Sequence, residues 1–335
     1  MMSTLKNKIK SLMPRRLNYW YYLYTAKKAV NFDIRRRVYD KVYNNSSAEK
    51  VKRDLTLQYH IVEKGLTMPV PRPGFGRLVV LDLCRVVLRY ESMKLPFDEL
   101  EFSQSVTVLK EYAAFHNEIG FKLDKELADS LAKIVYRFDN VHGTNQMEVT
   151  EKKYFESVNA PFDAFCMSRY SVRSYTDKEI PLNVLHNCID LAQKSPSFCN
   201  RQPTRVHIVK SPQKKEAILA IQNGNRGFGH LAETLLVLTS VISVTKDIHE
   251  RNENHLNGGL FGMTLLNALH FNRIAACSLN WAVDNERDEK IRKLLNVPEN
   301  EVVLLVISCG YPPENFKIAS SPRKKAAEIT TEHVG

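Results

Sequence analysis

Two short runs of this sequence are apolar at every position, and they constrain the fold more than any other feature. One covers residues 235–238 and the other covers residues 302–307. A strand with one face in water alternates apolar and polar residues, so unbroken apolar runs of this length predict strands that are covered on both faces. Neighbouring stretches carry the three- and four-residue apolar spacing of helices. The sequence therefore predicts a small central sheet with helices packed on it, as in the α/β or α+β class.

The predicted elements fall into two groups along the chain. Before residue 150 the patterns are helical, and after it short β-rich runs alternate with helices. Besides the two apolar runs, strands are predicted at residues 205–209 and 275–279. Helices are predicted at residues 79–90, 95–116, 125–141, 182–193, 212–222, 256–271 and 286–295.

Two breaks divide the N-terminal half. The sequence Asn-Asn-Ser-Ser at residues 44–47 interrupts an N-terminal helix, and three prolines make residues 68–76 an extended or turning connection. The predicted domains are a basic amphipathic helical arm at residues 1–45, a helical region at 46–150 and an α+β domain at 151–335.

The basic charge is concentrated at the N-terminus. The chain has a net charge of +11, and residues 1–60 contain 14 Lys and Arg residues against four acids. Aromatic residues lie inside this segment, at Tyr19, Trp20, Tyr21, Tyr22 and Tyr24. Such a segment suits an anionic membrane surface, but it is also typical of a solvated arm that packs on the rest of the protein. Nucleic acid is not expected as a partner, because no recognition motif accompanies the charge.

The cysteines and the apolar runs indicate the compartment. The six cysteines are scattered without a Cys-x-x-Cys pair, so neither a zinc site nor a disulfide framework is predicted. No run reaches the length of a membrane span, and no secretory signal is recognisable. We expect a cytoplasmic protein with reduced thiols, in peripheral contact with the inner face of the membrane if the arm binds lipid.

A set of donors suited to phosphate lies at residues 168–175, which read Ser-Arg-Tyr-Ser-Val-Arg-Ser-Tyr. Arg169 and Arg173 are four residues apart and would share a face if the segment entered a helix. Guanidinium groups bind phosphate through parallel hydrogen bonds, and the hydroxyl of Ser171 adds a third donor. Because such arginine pairs are also common on surfaces, the pattern needs supporting context.

That context is the loop at residues 195–203, which reads Ser-Pro-Ser-Phe-Cys-Asn-Arg-Gln-Pro. Pro196 fixes one backbone angle, while Ser197, Asn200 and Gln202 offer hydroxyl and amide groups. Amides that both donate and accept suit the edge of a flavin, where carbonyls alternate with nitrogens. An ordinary turn leading into the strand at 205–209 is the alternative.

Four landmarks occur in the order seen in the nitroreductase family of FMN-dependent oxidoreductases, which residues 163–330 resemble. They are the Arg-x-Ser-x-Arg entry, the Pro-Ser-x-x-Asn-x-Gln-Pro loop, a long helix that leads into a strand and turn, and Gly310-Tyr-Pro312 followed by Arg323. The resemblance implies an α+β fold with three layers, in which helices flank a small, mainly antiparallel sheet. It also implies a homodimer with FMN at the interface.

Site residues follow from the resemblance position by position. The FMN phosphate and ribityl chain would be held by Arg169, Ser171, Arg173 and Arg323. The flavin would be lined, from the partner subunit, by Pro196, Ser197, Phe198, Asn200 and Gln202. Asn225 would touch the ring, and a turn at Leu279 and Asn280 would bring a backbone N–H to flavin N5.

Several positions depart from the family pattern. Phe198 stands where a second serine is common, and Thr204 replaces a frequent aromatic residue. Arg273-Ile-Ala275 replaces a Gly-Leu-Gly sequence, and Asn280 stands where glycine is frequent. These changes concern the ring contacts and the substrate pocket more than FMN binding.

The resulting hypothesis is an FMN-dependent oxidoreductase that takes electrons from NAD(P)H and passes them to an unidentified organic acceptor in a ping-pong scheme. No side chain acts as a nucleophile, and no metal is expected. One alternative is a flavin enzyme of the same fold that acts on a biosynthetic intermediate, such as a peptide or sugar. Others are a flavin-degrading or dehalogenating enzyme and a non-catalytic scaffold at the membrane.

The N-terminal half has no counterpart in this resemblance. It contains His60 and Glu63, which are three residues apart and could form an acid–base pair on one helix face. An exposed helical turn is the expected alternative.

Overall fold

The computed structural model describes residues 14–43 and 47–334. Helices form its N-terminal part, as the apolar spacing predicts. They are α1 (Arg15–Tyr43), α2 (Ala48–Leu66), α3 (Arg77–Ser92), α4 (Leu100–Glu118) and α5 (Lys125–Arg137).

Helices α2 to α5 close on a core of their own. Its centre is an aromatic cluster in which Phe102 stacks on Tyr90 at 5.0 Å and on Phe97 at 4.7 Å between ring centroids. The proline-rich connection before α3 is fastened to α4, because the hydroxyl of Tyr112 donates to the Phe75 carbonyl at 2.7 Å. This region is therefore a packed helical body with its own buried side chains.

The rest of the chain alternates strands and helices. In chain order it contains β1 (Gln146–Thr150), α6 (Glu151–Tyr154), α7 (Phe162–Ser168), α8 (Leu182–Ala192), β2 (Thr204–Val209), α9 (Pro212–Ile221), β3 (Thr234–Val241), α10 (Glu253–Phe271), β4 (Ala275–Asn280), α11 (Asn285–Leu295), β5 (Glu301–Gly310), β6 (Asn315–Ala319) and α12 (Ala326–Ile329).

Four strands form one antiparallel sheet in the order β2-β3-β5-β4. On one face Leu236 and Leu238 pack with α8 and α10. On the other face Leu235 and Val237 pack with residues of α9 and α11. The apolar run of β3 is thus covered on both sides, and the predicted α+β fold with three layers and an antiparallel sheet is confirmed.

A second, two-stranded sheet was not predicted from the sequence. β1 pairs antiparallel with β6, from Gln146 opposite Ala319 to Thr150 opposite Asn315. Both strands are five residues long, and β1 lies in a stretch predicted to be helical. The domain boundary at residue 150 stays a prediction, although β1 pairs with a strand from the other side of it.

The C-terminal tail crosses onto the helical region. Past β6, the Ser320 N–H donates to the Asn145 carbonyl at 2.9 Å, and the Ser321 N–H donates to a carboxylate oxygen of Glu63 at 3.1 Å. Lys324 then pairs with Glu101 of α4 at 2.7 Å. These contacts fix the last turns of α2 against the C-terminal part of the molecule.

The arm helix α1 exposes aromatic side chains near its beginning, and the amphipathic character of residues 1–45 stays a prediction. Successive residues of a helix point about 100° apart, so the exposed run of Tyr19, Trp20, Tyr21 and Tyr22 covers all sides. Arg251 pairs with Asp33 of α1 at 2.6 Å, which is the packing expected of an arm that rests on the protein. Basic residues before Pro14 and the predicted break at 44–46 lie outside the described residues. Membrane contact stays a prediction.

Within the described ranges, none of the helices combines the length and the apolar character needed to cross a bilayer.

Candidate functional site

The Arg-x-Ser-x-Arg segment is extended, not helical. Helix α7 ends at Ser168, and the following residues run beside β4, where the Val172 N–H donates to the Ala276 carbonyl at 3.1 Å. In an extended chain alternate residues point to the same side. Arg169, Ser171 and Arg173 therefore share one side of the segment, although for a different reason from the helix considered in the sequence.

Arg173 is a buried cation with incomplete hydrogen bonding. Its side chain is only 7% exposed, and its guanidinium lies over the Phe228 ring at 5.8 Å. Among the described residues, Nε of Arg173 has no hydrogen-bond partner. A buried charge without a partner is costly, and a phosphate would supply both the negative charge and the missing acceptor. The residues present therefore fit the predicted phosphate site.

Arg169 lies at the other end of the segment, beside the buried His270. Burial, and then the charge of Arg169, lower the pKa of His270 to about 4. Ser168 Oγ lies 2.9 Å from Nε2 of His270 and donates to the Phe165 carbonyl at 2.8 Å, so the imidazole acts as the donor to Ser168. His270 is thus neutral at pH 7 and leaves Arg169 as the charged group.

The Pro-Ser loop holds an unusual backbone conformation. Three residues have left-handed φ values, Cys199 at 47°, Asn200 at 54° and Gln202 at 49°. The loop is closed internally, because Ser197 Oγ accepts from the Gln202 N–H at 3.0 Å. It is tied to α10 by the Phe198 N–H, which donates to Asn257 at 3.0 Å. Such conformations cost energy and occur preferentially where a loop presents groups to a ligand or partner.

The loop nevertheless encloses almost no space. Pro196, Phe198, Asn200 and Gln202 are exposed, and a cavity of only about 10 Å³ lies between this loop and Phe261. Cavities of about 960 Å³ and 480 Å³ lie beside α4 and under α1, and no residue predicted to bind flavin lines either of them. In one chain, the loop therefore presents its groups outward.

The phosphate segment and the loop lie at opposite corners of the sheet. The segment contacts Ala276 of β4, which pairs with Cys309 of β5. Cys309 in turn lies opposite Thr234, at the beginning of β3. The loop leads into Thr204, which pairs with Ser240 at the far end of β3. With usual strand dimensions, the corners are roughly 20 Å apart along the strands and roughly 14 Å apart across them. The structure of one chain does not bring the two predicted halves of the site together.

Leu279 and Asn280 are the last residues of β4 and not a turn, which corrects the prediction. The Ala276 carbonyl binds Val172 and the Asn280 carbonyl accepts from Gln222 at 2.9 Å, so both face the outer edge of this edge strand. In antiparallel strands the N–H and the C=O of one residue point the same way. The Asn280 N–H therefore points outward, while that of Leu279 faces β5.

Comparison with known proteins finds similarity to the nitroreductase family and to iodotyrosine deiodinases. A sequence model of the nitroreductase family matches residues 166–225. Over 201 residues the chain is 25% identical to an iodotyrosine deiodinase of Haliscomenobacter hydrossis. The aligned residues cover 52% of this chain and 89% of that relative. The solved structure of a nitroreductase family protein from Streptococcus pneumoniae has a TM-score of 0.45 at 19% identity, with 51% of this chain and 100% of that chain covered. An FMN-dependent nitroreductase from Clostridium difficile has a TM-score of 0.40 at 20% identity, with 48% and 89% covered.

Residues 166–225 are therefore similar in sequence to the nitroreductase family. The resemblance inferred from the four landmarks is thereby confirmed. The family consists of flavin-dependent oxidoreductases, and the matched residues include both the arginine segment and the Pro-Ser loop.

Within this nitroreductase-like domain, Asn225 has a structural task. Its side-chain N–H groups donate to the carbonyls of Leu219 and Gln222, both at 2.8 Å, and so close the turn after α9. The neighbouring Gln222 is 4% exposed and links this turn to Asn280 of β4. A contact between Asn225 and a flavin ring stays a prediction.

Arg323 is exposed and donates to the Ser321 carbonyl. Burial raises the pKa of Tyr59, a residue of α2, to about 12, and the positive charge of Arg323 opposes this rise. Arg323 therefore lies close enough to α2 to act on Tyr59. Its role at the phosphate stays a prediction.

Two residues near the predicted site were given no role from the sequence. Arg201 fastens the Pro-Ser loop, since it pairs with Glu250 at 2.6 Å and donates to the Val244 carbonyl at 3.0 Å. Lys64 of α2 is half-buried, and burial followed by the charge of Arg173 lowers its pKa. No local pattern connects Lys64 with Arg173, because the two are distant in sequence.

His60 and Glu63 do form a pair, with Nδ1 of His60 3.0 Å from a Glu63 carboxylate oxygen. Glu63 is fully buried, so the expectation of an exposed helical turn is wrong for this residue. Its other oxygen accepts from the Ser321 N–H. The pair therefore anchors the C-terminal tail.

Proposed function

We propose that this protein is an FMN-dependent oxidoreductase that uses NAD(P)H as its electron donor. The observation that carries the proposal is the buried guanidinium of Arg173 with its unpartnered Nε. Sulfate or another small anion would satisfy the same group, but the family match favours the phosphate of FMN.

Each element of the site has a distinct task in this proposal. Arg173, Ser171 and Arg169 would hold the phosphate end from one side of the extended segment. The outward-facing N–H of Asn280 would donate to N5 and stabilise negative charge there. FMN held by these residues would supply the redox chemistry for hydride transfer between NAD(P)H and a second substrate, in a ping-pong scheme.

The proposal requires a second copy of the chain. The Pro-Ser loop lies roughly a sheet diagonal away from Arg173, so it would reach the flavin of a partner subunit. Exposed apolar residues of α10, which follow one another at intervals of four, three and eight residues, form a stripe beside this loop. They are Leu256, Leu260, Met263 and Phe271. Such a stripe is typical of a protein–protein contact, and we propose that it forms the homodimer interface.

Reductive dehalogenation is the second candidate. The relative from Haliscomenobacter hydrossis is an iodotyrosine deiodinase, as is another from Nematostella vectensis, which is 21% identical over 224 residues. The same cofactor site would serve either reaction, so the two candidates differ in the electron acceptor.

The first experiment is an absorption spectrum of the purified full chain, with mass spectrometry of whatever heat releases. A flavin spectrum with FMN released is the expected result. Stopped-flow reduction by NADH and NADPH, followed by reoxidation with a nitroaromatic or a halogenated tyrosine, would then separate the two candidates. A protein that carries no flavin and takes up none from solution would refute both.

A further inference from the structure

The last turn of α2 lies beside the loop that supports Arg173. A Cβ built on Gly227 would lie 3.2 Å from the sulfur of Met68, just past the end of α2. Phe228, the next residue along that loop, is the ring under the Arg173 guanidinium. The N-terminal helical region therefore reaches the phosphate segment through this turn.

The same turn is held on its other side by the C-terminal tail. Glu63 is fully buried, and its two carboxylate oxygens bind His60 Nδ1 and the Ser321 N–H. Among the described residues, no ion pair joins Glu63 to Lys64, the next residue. The position of Lys64 is thus fixed by the anchoring of its neighbour.

The charges at this place are not balanced. In the described part of the chain, no carboxylate lies within ion-pairing distance of Lys64 or of Arg173, and Nε of Arg173 has no acceptor. Arg173 is more than nine-tenths buried and Lys64 is half-buried. The charge of Arg173 acts on the partly desolvated Lys64, and a bound dianion would relieve the repulsion between these two cations.

We propose that Lys64 is an additional ligand of the FMN phosphate, supplied by the N-terminal helical region to the site built around Arg173. This inference rests on the proposed cofactor. It makes the helical region a part of the flavin site, although that region lies outside the family match, which begins at residue 166. Lysine suits the task as a compact charge that binds phosphate from one direction, while Arg173 binds it with a planar fork.

The test compares FMN with riboflavin, which has the same ring and ribityl chain but no phosphate. Lys64→Met keeps the length of the side chain and removes its charge. Lys133→Met is the matched control, since Lys133 is an exposed lysine on α5 and the net charge changes equally. Dissociation constants for both ligands would be measured by flavin fluorescence on the full chain, with Arg173→Ala as the reference for a phosphate ligand.

Lys64→Met should weaken FMN binding roughly ten-fold and change riboflavin binding less than two-fold. Lys133→Met should change neither. If Arg173→Ala loses FMN selectively and Lys64→Met does not, the inference about Lys64 is wrong while the proposed function stands. If the unaltered protein binds neither ligand, the proposed function fails and the inference fails with it.

A second measurement needs no variant. Lysine acetylation of the unaltered chain, read by mass spectrometry, should be slowed at Lys64 by saturating FMN but not by saturating riboflavin. Equal protection by both ligands, or protection by neither, would overturn the assignment even if Lys64→Met failed to fold.

Discussion

The corner of the sheet that holds Arg169, Ser171 and Arg173, called the phosphate corner below, differs from the Pro-Ser loop in what it lacks. At the phosphate corner Arg173 is buried and has no paired anion, as its unpartnered Nε shows. At the loop the groups bond to one another, with Ser197 accepting from the Gln202 N–H, but they face solvent. The phosphate corner therefore lacks a negative charge to pair with its cations, and the Pro-Ser loop lacks a protein surface packed against it.

This difference suits the two ends of a flavin nucleotide. A phosphate needs fixed positive charge in a region from which water is excluded, and a single chain provides that through burial. A planar ring needs contacts on both faces, and an exposed loop provides them only when another surface approaches. The contrast predicts that the phosphate corner acts within one chain and the loop acts between chains.

The largest effect should come from separating the subunits of the proposed homodimer. In the double variant Leu256→Asp/Leu260→Asp, charge replaces two exposed leucines four residues apart on α10. If the ring loses roughly 150 Å² of apolar contact, binding weakens by about 4 kcal/mol, or almost a thousand-fold. Light scattering would report the subunit state and fluorescence titration the flavin affinity.

The matched control is Ile34→Asp/Val38→Asp, which makes the same change at exposed positions of α1 with the same spacing. It should leave both the subunit state and the affinity unchanged. An α10 variant that is monomeric and still binds FMN as tightly as the unaltered protein would show that one chain forms the whole site.

Next in size is the response of the phosphate corner to acid. His270 has a folded-state pKa of about 4, below its ordinary 6.5, because of burial and the charge of Arg169. As pH falls through 6.5 the unfolded chain takes up the proton first, so stability declines until about pH 4. The full loss is roughly 3 kcal/mol. Denaturant unfolding at several pH values should show a shallower decline for His270→Gln than for the unaltered protein.

The exposed His142 provides the control, since His142→Gln removes an imidazole that is not buried. Parallel pH profiles for the unaltered protein and His270→Gln would mean that the corner is more hydrated than the structure indicates.

Removing the charge of Arg173 should have the third largest effect. It should weaken the binding of FMN without destabilising the flavin-free protein. Arg173→Met should weaken FMN binding by about 2 kcal/mol, or roughly thirty-fold, because a charge-assisted contact is lost. Without flavin, its melting temperature should be unchanged or higher, since a buried cation without a partner is removed. Calorimetry of the flavin-free protein and titration with FMN would test both signs. Arg85→Met, at an arginine that is 70% exposed, should affect neither.

Much of this contrast could be predicted from the sequence, because it depends on local patterns. The apolar runs of β3 and β5, the helix spacing and the two motifs are each contained in a few consecutive residues. The roles of Lys64 and Arg201 could not be predicted in this way. Each acts on a residue far away in the chain, Lys64 on Arg173 and Arg201 on Glu250.

The errors have equally local causes. β1 and β6 are short and pair across more than 160 residues, so neither shows an extended alternating pattern. Leu279 and Asn280 were expected in a turn because the family often has glycine near this position, whereas here β4 continues to Asn280. Sequence motifs identified the candidate site residues. Which of their atoms a ligand can reach depends on whether the residue lies on an edge strand and how deeply it is buried.

The smallest predicted effect concerns the loop and its anchor. Arg201 and Glu250 are about one-fifth exposed, and their ion pair holds the strained segment against the short helix at Ile248–Glu250. Arg201→Met should lower stability only slightly, because water partly screens the pair. Since the loop would bind the ring and not the phosphate, FMN and riboflavin should lose affinity equally, unlike in Arg173→Met. A selective loss of FMN in this variant would place the loop at the phosphate and reverse the division of tasks between the two halves of the site.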